Sequence, residues 1–206
     1  MLMFDRELVP TRIALLDLID ERRLVREGYE LLDEKRMLLA ARILRALDEL
    51  KRQTAALRAS WQDVQARLRE ALAAHGLNDL EAWPPRTTTV VLERRTERVL
   101  GVEIGTTSAD LRVGELAWPP AGPAPTIDAC VEETRLLLAR AVPLAALETT
   151  LTRLADEYVR TERRARAVEN VVLPELEADL RVIESSLEAL DQEEVVRVHS
   201  RRASAN

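Results

Sequence analysis

The chain has 206 residues and a net charge of -6, with 32% charged but only 3% aromatic residues. So few aromatic side chains argue against one large compact core, and the negative charge disfavours nucleic acid as a partner. No apolar run approaches the roughly 20 residues that span a bilayer, and the acidic first residues do not resemble a signal peptide, so we expect a cytoplasmic protein.

The first predicted element is a long helix. It should begin after Val9-Pro10-Thr11, with Thr11 as its cap, and end at His75-Gly76, because glycine accepts the positive φ of a helix C-cap. Alternating steps of three and four place an apolar seam on one face. The seam is formed by Ala40, Ile43, Leu47, Leu50, Thr54, Leu57, Trp61, Val64, Leu68 and Ala71. We therefore expect Trp61 in the core, and a slip of register near Lys35-Arg36, where the strict repeat begins.

A β-hairpin is predicted between Pro84 and Pro125. The β-branched segments Thr87–Leu92 and Val99–Ile104 read as its strands, with a charged connection between them, and 111–116 as a third strand. An isolated hairpin is marginal in water, so this one should pack against the helices or a partner.

A second long helix should run from Thr126-Ile127-Asp128 to about His199. Its seam is formed by Leu144, Leu147, Leu151, Leu154, Tyr158, Thr161, Ala165, Val168 and Val172. Pro143 and Pro174 lie inside it, and two steps of four around Pro174 predict a bend or local unwinding there.

These elements predict a mainly α fold: a long antiparallel two-helix coiled coil formed by the N- and C-terminal helices, with a small β-hairpin insert. The predicted segments are 1–78, 79–125 and 126–206. In such a pair, the slip near Lys35-Arg36 and the bend at Pro174 should lie at comparable depth.

The sequence offers little catalytic chemistry. Gly101 and Gly105 lie four apart, but no lysine follows them as in a phosphate loop, and neither histidine belongs to a metal-ligand cluster. We therefore predict no catalytic residue, cofactor or metal. Two basic clusters fit either a solvated face with i,i+4 pairs or a docking surface for an acidic partner. They are Arg22, Arg23 and Arg26, and Arg160, Arg163, Arg164 and Arg166.

Four segments carry a family resemblance, and they occur in family order. Val9–Arg12, Gly28–Arg36, Val99–Ile104 and Thr161–Pro174 resemble segments of the D subunit of the rotary V-type and A-type ATPases. Thr161–Pro174 is the most specific, because a helical Arg-Arg run that ends in an interior proline is unusual. Four positions depart from the family pattern: Asp33, Met37, Gly105 and Arg166 stand where it has Lys, Asp, Pro and Asn.

The resemblance implies a non-catalytic rotor of a proton- or sodium-translocating ATPase, peripheral to the membrane. The paired terminal helices would enter the catalytic head of A and B subunits, and the hairpin end would lie toward the F subunit and the membrane-rotor adaptor. The residues it suggests for partner binding are Pro10, Thr11, Arg12, Lys35, Arg36, Gly101, Val102, Arg160, Arg163, Arg164, Arg166 and Pro174. The alternative is a coiled-coil tether or adaptor unrelated to ATP.

Overall fold

The computed structural model of the chain describes residues 9–120 and 122–203. Its elements are α1 (Arg12–Glu81), β1 (Arg86–Val99), β2 (Val102–Leu116), α2 (Pro125–Ala167), a π-helical turn (Val168–Val172) and α3 (Leu173–Ala203). The strands form one antiparallel pair. Long helices on either side of a small antiparallel hairpin confirm the predicted fold class. None of the helices in these two ranges is long and apolar enough to cross a membrane.

The chain divides into two compact units. The terminal unit comprises Met1–Met37 and Val159–Asn206, and the central unit comprises Leu38–Tyr158. The three predicted segments, 1–78, 79–125 and 126–206, describe the order of elements rather than these units and stay a prediction.

The start of α1 is capped as predicted. The Thr11 hydroxyl accepts a hydrogen bond from the backbone N–H of Ala14 at 3.1 Å, which satisfies one of the free donors of the first turn. The predicted break of the long helix at His75-Gly76 is confirmed, because the φ/ψ of Gly76 are not helical. Gly76 has the expected positive φ of 76°, but helical structure resumes and ends at Glu81. Packing explains this extension, because Leu80 lies against the buried Ala71 and Ile127.

The terminal unit is held by one apolar cluster between α1 and α3. Leu18 packs there with Leu176, Leu180 and Ile183, all buried. Farther along α1, the Tyr29 hydroxyl is hydrogen-bonded to Glu169. The two helices are therefore antiparallel, and Pro174 lies opposite the stretch between residues 18 and 29. The expectation that it lies level with Lys35-Arg36 is wrong by about two to three helical turns.

The widened turn before Pro174 confirms the predicted local unwinding. In the π turn, the N–H of Leu173 bonds to the carbonyl of Val168, five residues earlier. A proline ring collides with the carbonyl four residues before it and has no N–H to donate. Widening the turn moves that carbonyl aside without ending the helix, as π turns commonly do. By contrast, α2 continues through Pro143.

In the central unit, the seam of α1 differs from the predicted one. Leu39 is fully buried and Ser60 is 2% exposed, whereas Trp61 is 53% exposed and Leu47 and Leu68 are also exposed. The placement of Trp61 in the core is therefore wrong. Arg140 of α2 donates a hydrogen bond to the Ser60 hydroxyl, so a small polar residue occupies the contact where the heptad count had placed tryptophan. The seam of α2 is better predicted, with Leu144, Leu151 and Leu154 buried.

The hairpin is longer than predicted, and its turn lies elsewhere. The predicted second strand Val99–Ile104 contains the turn, residues 93–98 belong to β1, and residues 111–116 complete β2 rather than forming a third strand. Leu100 and Gly101 have φ of 54° and 85°, the positive values that a two-residue turn between antiparallel strands requires. The charged residues are tolerated within β1 because its side chains remain exposed.

The hairpin packs against the helices, as expected. Val102 lies in one buried cluster with Leu39 and Leu154. The Thr150 hydroxyl accepts a hydrogen bond from the N–H of Gly105 and donates one to its carbonyl, both at 3.3 Å. These contacts fix β2 against α2.

Candidate partner-binding surfaces

Exposed apolar side chains cover much of the terminal unit. Residues with 44% to 73% exposure are Val9, Ile13, Leu16, Leu24, Leu31, Met37, Val159, Val171, Val182, Leu190, Val195, Val196 and Val198. Single exposed apolar residues are ordinary, but recurrence along both helices is typical of a surface that another protein covers. The helix pair buries one narrow seam and leaves the remaining apolar residues available for binding.

The basic cluster on α2 divides into paired and unpaired arginines. Arg166 forms an i,i+4 ion pair with Glu162 at 2.6 Å, which fits the solvated-face interpretation. Arg163 and Arg164 are exposed, and no carboxylate within residues 9–120 and 122–203 pairs with either. Arg160 is exposed but has an interaction partner. Arg163 and Arg164 are therefore the members best placed to meet an acidic partner.

Several basic residues on α1 already form ion pairs or other interactions within the chain. Arg36 is paired with Asp33, and both are about one-third exposed. Arg23 pairs with Asp20 at 3.0 Å, whereas Lys35 is partly buried and has an interaction partner. Arg23, Lys35 and Arg36 are therefore already bonded within the chain.

The remaining predicted site residues lie at helix ends and in the hairpin. Arg12 is 81% exposed and lies 3.5 Å from Asp191. Pro10 precedes the capped start of α1, and Pro174 is exposed after the π turn. Gly101 is exposed at the turn of the hairpin, but the side chain of Val102 is buried against the helices. Val102 thus positions the turn rather than offering contact area.

A groove between the hairpin and α2 was not predicted. Its volume is about 460 Å³, and its walls include Leu92 and Arg94 of β1 and Ala145, Ala146 and Arg153 of α2. The small Ala145-Ala146 pair is the sequence signal that could have indicated close approach of another element. Finding the groove required the strand register, which the misplaced turn concealed.

Titratable groups are perturbed by their surroundings in both units. Partial burial raises the pKa of the Cys130 thiol, and a hydrogen bond with Thr134 opposes this effect. Desolvation raises the pKa of Tyr29, and the neighbouring carboxylate of Glu169 raises it further. The hydrogen bond from Arg135 lowers the pKa of Glu132. Burial favours the neutral forms of Cys130 and Tyr29 and so raises their pKa, whereas the guanidinium of Arg135 favours the ionised form of Glu132 and so lowers its pKa.

Comparison with known proteins places the chain in a family. The family pattern of the ATP synthase D subunit matches residues 14–202. The V-type ATP synthase D subunit of Thermotoga neapolitana is 25% identical over 190 residues, covering 92% of this chain and 94% of that protein. The V-type ATP synthase D subunit 2 of Treponema pallidum is 29% identical, covering 95% and 94%. The A-type ATP synthase D subunit of Thermococcus kodakarensis is 28% identical, covering 92% and 90%. The chain therefore belongs to the family of ATP synthase D subunits.

Proposed function

We propose that this chain is the non-catalytic central-stalk rotor of a V/A-type ATP synthase. It would transmit torque between the catalytic head of A and B subunits and the ion-translocating rotor in the membrane, driven by protons or sodium ions. The F subunit and the membrane-rotor adaptor would bind it as further partners. The chain would lie on the cytoplasmic side, peripheral to the membrane.

The exposed apolar surface of the terminal unit carries this proposal. Leu18 and Ile183 hold α1 against α3, yet Ile13, Leu24 and Val196 point away from that seam and remain more than 60% exposed. An apolar surface on both helices suits a part that is enclosed by other subunits. The terminal helices of a rotor within the head would meet this description.

Two exposed arginines on the terminal unit are a second observation that supports the proposal. Arg163 and Arg164 are exposed on the terminal unit, beside an ion pair that occupies Arg166. A guanidinium forms directional hydrogen bonds with a carboxylate, so two unpaired arginines favour an acidic partner surface. Such contacts would act at particular angles of rotation, as unequal catalytic sites require.

Affinity isolation of the tagged full-length chain from native membranes tests the proposal. Stoichiometric recovery of the catalytic A and B subunits together with the F subunit would support it, with quantification by mass spectrometry. Recovery of unrelated soluble proteins without A and B subunits would contradict it and favour the tether or adaptor alternative. An untagged strain processed identically is the control for adventitious binding.

A further inference from the structure

Two weak points lie at the same level of the terminal unit, one on each side of the helix pair. On α1 the weak point is Gly28, and on the opposite side it is the π turn Val168–Val172. A hydrogen bond between the neighbouring Tyr29 and Glu169 puts them side by side. We propose that this level is a hinge, at which both helices open together while the buried residues on either side stay packed. The inference goes beyond the proposed function, because a rotor could turn as a rigid rod.

Gly28 weakens α1 without a packing reason. A Cβ at this position would meet nothing within 4 Å, so no close approach of another element requires glycine there. Its backbone is helical, so no positive φ requires glycine either. Glycine in a helix interior is less stable than alanine, because its unfolded backbone has more conformations to lose. Local opening of α1 is therefore about two- to fivefold easier than it would be with alanine at this position.

The π turn weakens the helix on the opposite side. The N–H of Leu173 bonds to the carbonyl of Val168, and Pro174, the next residue, has no N–H to donate. The carbonyl of Glu169 therefore lacks a donor from the following turn of its own helix. All five residues of the turn are described, and none is buried. Few buried contacts and exposed backbone groups are the features of a segment that opens locally.

The π turn adds one residue to the apolar repeat of the terminal unit. A strict heptad continued from the buried Thr161 and Ala165 would place the next seam residues at 175, 179 and 182. The buried residues are instead Leu176, Leu180 and Ile183, each one position later. A turn closed by a bond to the fifth preceding residue holds one residue more than an α-helical turn, and so restores the phase of the seam. The sequence thus specifies the widened turn on both sides.

Neither helix has a buried residue among those described at this level. The buried residues nearest to the π turn are Ala165 before it and Leu176 after it. On α1, Leu18 is the last buried residue that the structure describes in the terminal unit. The hydrogen bond between Tyr29 and Glu169 spans this gap and ties the two weak points together. We therefore expect the two helices to open in one event.

Hydrogen exchange of the full-length chain, followed by mass spectrometry, tests the proposal. Backbone amides of residues 28–32 and 169–175 should exchange at least about tenfold faster than those of residues 176–187, whose seam stays packed. Gly28→Ala should slow exchange about two- to fivefold in both segments, because they open together. The matched control is Gly122→Ala, which also adds a methyl group with nothing within 4 Å and should leave both segments unchanged.

A second variant removes the π turn itself. Deletion of Asn170 combined with Pro174→Ala restores the strict repeat and replaces the widened turn by a regular one. Exchange of the remaining residues between 169 and 175 should then slow by at least about tenfold, because the missing backbone donor is supplied. The control is Pro143→Ala, which removes the proline inside α2 and should leave this segment unchanged.

Three results would overturn the proposal. They are equal exchange of residues 169–175 and 176–187, slowing by Gly28→Ala that is confined to α1, and no slowing in the deletion variant. Because the exchange is measured on the free chain, failure of the hinge is distinguishable from failure of the rotor proposal, which is judged by recovery of A and B subunits.

Discussion

The hydroxyl of Thr150 lies 3.3 Å from both the backbone nitrogen and the carbonyl oxygen of Gly105. One side chain of α2 thus satisfies both groups of a residue in β2. A proline at position 105 would have no N–H to donate. The donor half of this contact therefore requires a residue other than proline at position 105.

Thr150→Val should lower the free energy of unfolding by about 1–3 kcal/mol, because the nearly isosteric change leaves the part-buried N–H of Gly105 without a partner. Urea unfolding and hydrogen exchange at Gly105 measure this. Thr149→Val is the matched control, since the exposed Thr149 hydroxyl bonds only to Ala145 in its own helix. Equal effects of the two variants would show that the contact does not hold the hairpin.

Leu39→Ala should be far more destabilising than Leu38→Ala. Leu39 is fully buried against Val102 and Leu154, so its truncation leaves a cavity that costs about 2–5 kcal/mol. Leu38 is 48% exposed and should cost well under half as much. Urea unfolding of both variants decides the matter, and similar losses would contradict the assigned seam of the central unit.

The raised pKa of Tyr29 predicts that the protein loses stability at alkaline pH. Desolvation and the carboxylate of Glu169 raise its pKa above the usual 10.0. Because the folded-state pKa is the higher one, this contribution is complete below pH 10 and is lost as pH rises through the folded-state value. Tyr29→Phe should remove that part of the alkaline loss, as measured by thermal unfolding between pH 9 and 12. An unchanged profile would contradict the raised folded-state pKa of Tyr29.

Arg163→Glu combined with Arg164→Glu should weaken docking or coupling in the assembled complex while leaving helicity nearly unchanged. Both side chains are exposed, so the substitutions remove no internal ion pair within the described residues. ATP hydrolysis, ion pumping and circular dichroism are the measurements. Arg58→Glu combined with Arg69→Glu, at exposed positions of α1 in the central unit, matches the charge change. A loss of helicity would assign the α2 pair a structural role, and intact coupling would remove it from the docking surface.

Local sequence signals predict the helices well, because helix capping and helix distortion by proline depend mainly on residues close in the chain. Thr11 caps α1, and the helix widens before Pro174, as each residue type dictates. The exposure of Trp61 could not be predicted in this way. A heptad count identifies only the average position of the apolar seam along a helix. The Ser60–Arg140 contact depends on the partner helix, and at this point Ser60 rather than Trp61 is buried.

The predicted strand bounds and turn of the hairpin are wrong for a related reason. Leu100-Gly101 interrupts an apolar run, and the charges in β1 looked like a connection, yet cross-strand pairing made both part of one long ladder. The same limitation applies to the binding surfaces. The arginine cluster was visible in the sequence, but only the fold separates Arg163 and Arg164 from Arg166, which is bonded to Glu162.

Reversible crosslinking of the terminal unit to the head tests the rotor proposal most directly. Val195, 56% exposed on α3, is replaced by cysteine in a Cys130→Ser background and oxidised to a cysteine placed in the neighbouring A or B subunit. If the chain rotates in the head, ATP hydrolysis should stop when the disulfide forms and recover on reduction, with the unoxidised complex as control. Full ATP hydrolysis by a completely crosslinked complex would contradict rotation of this chain.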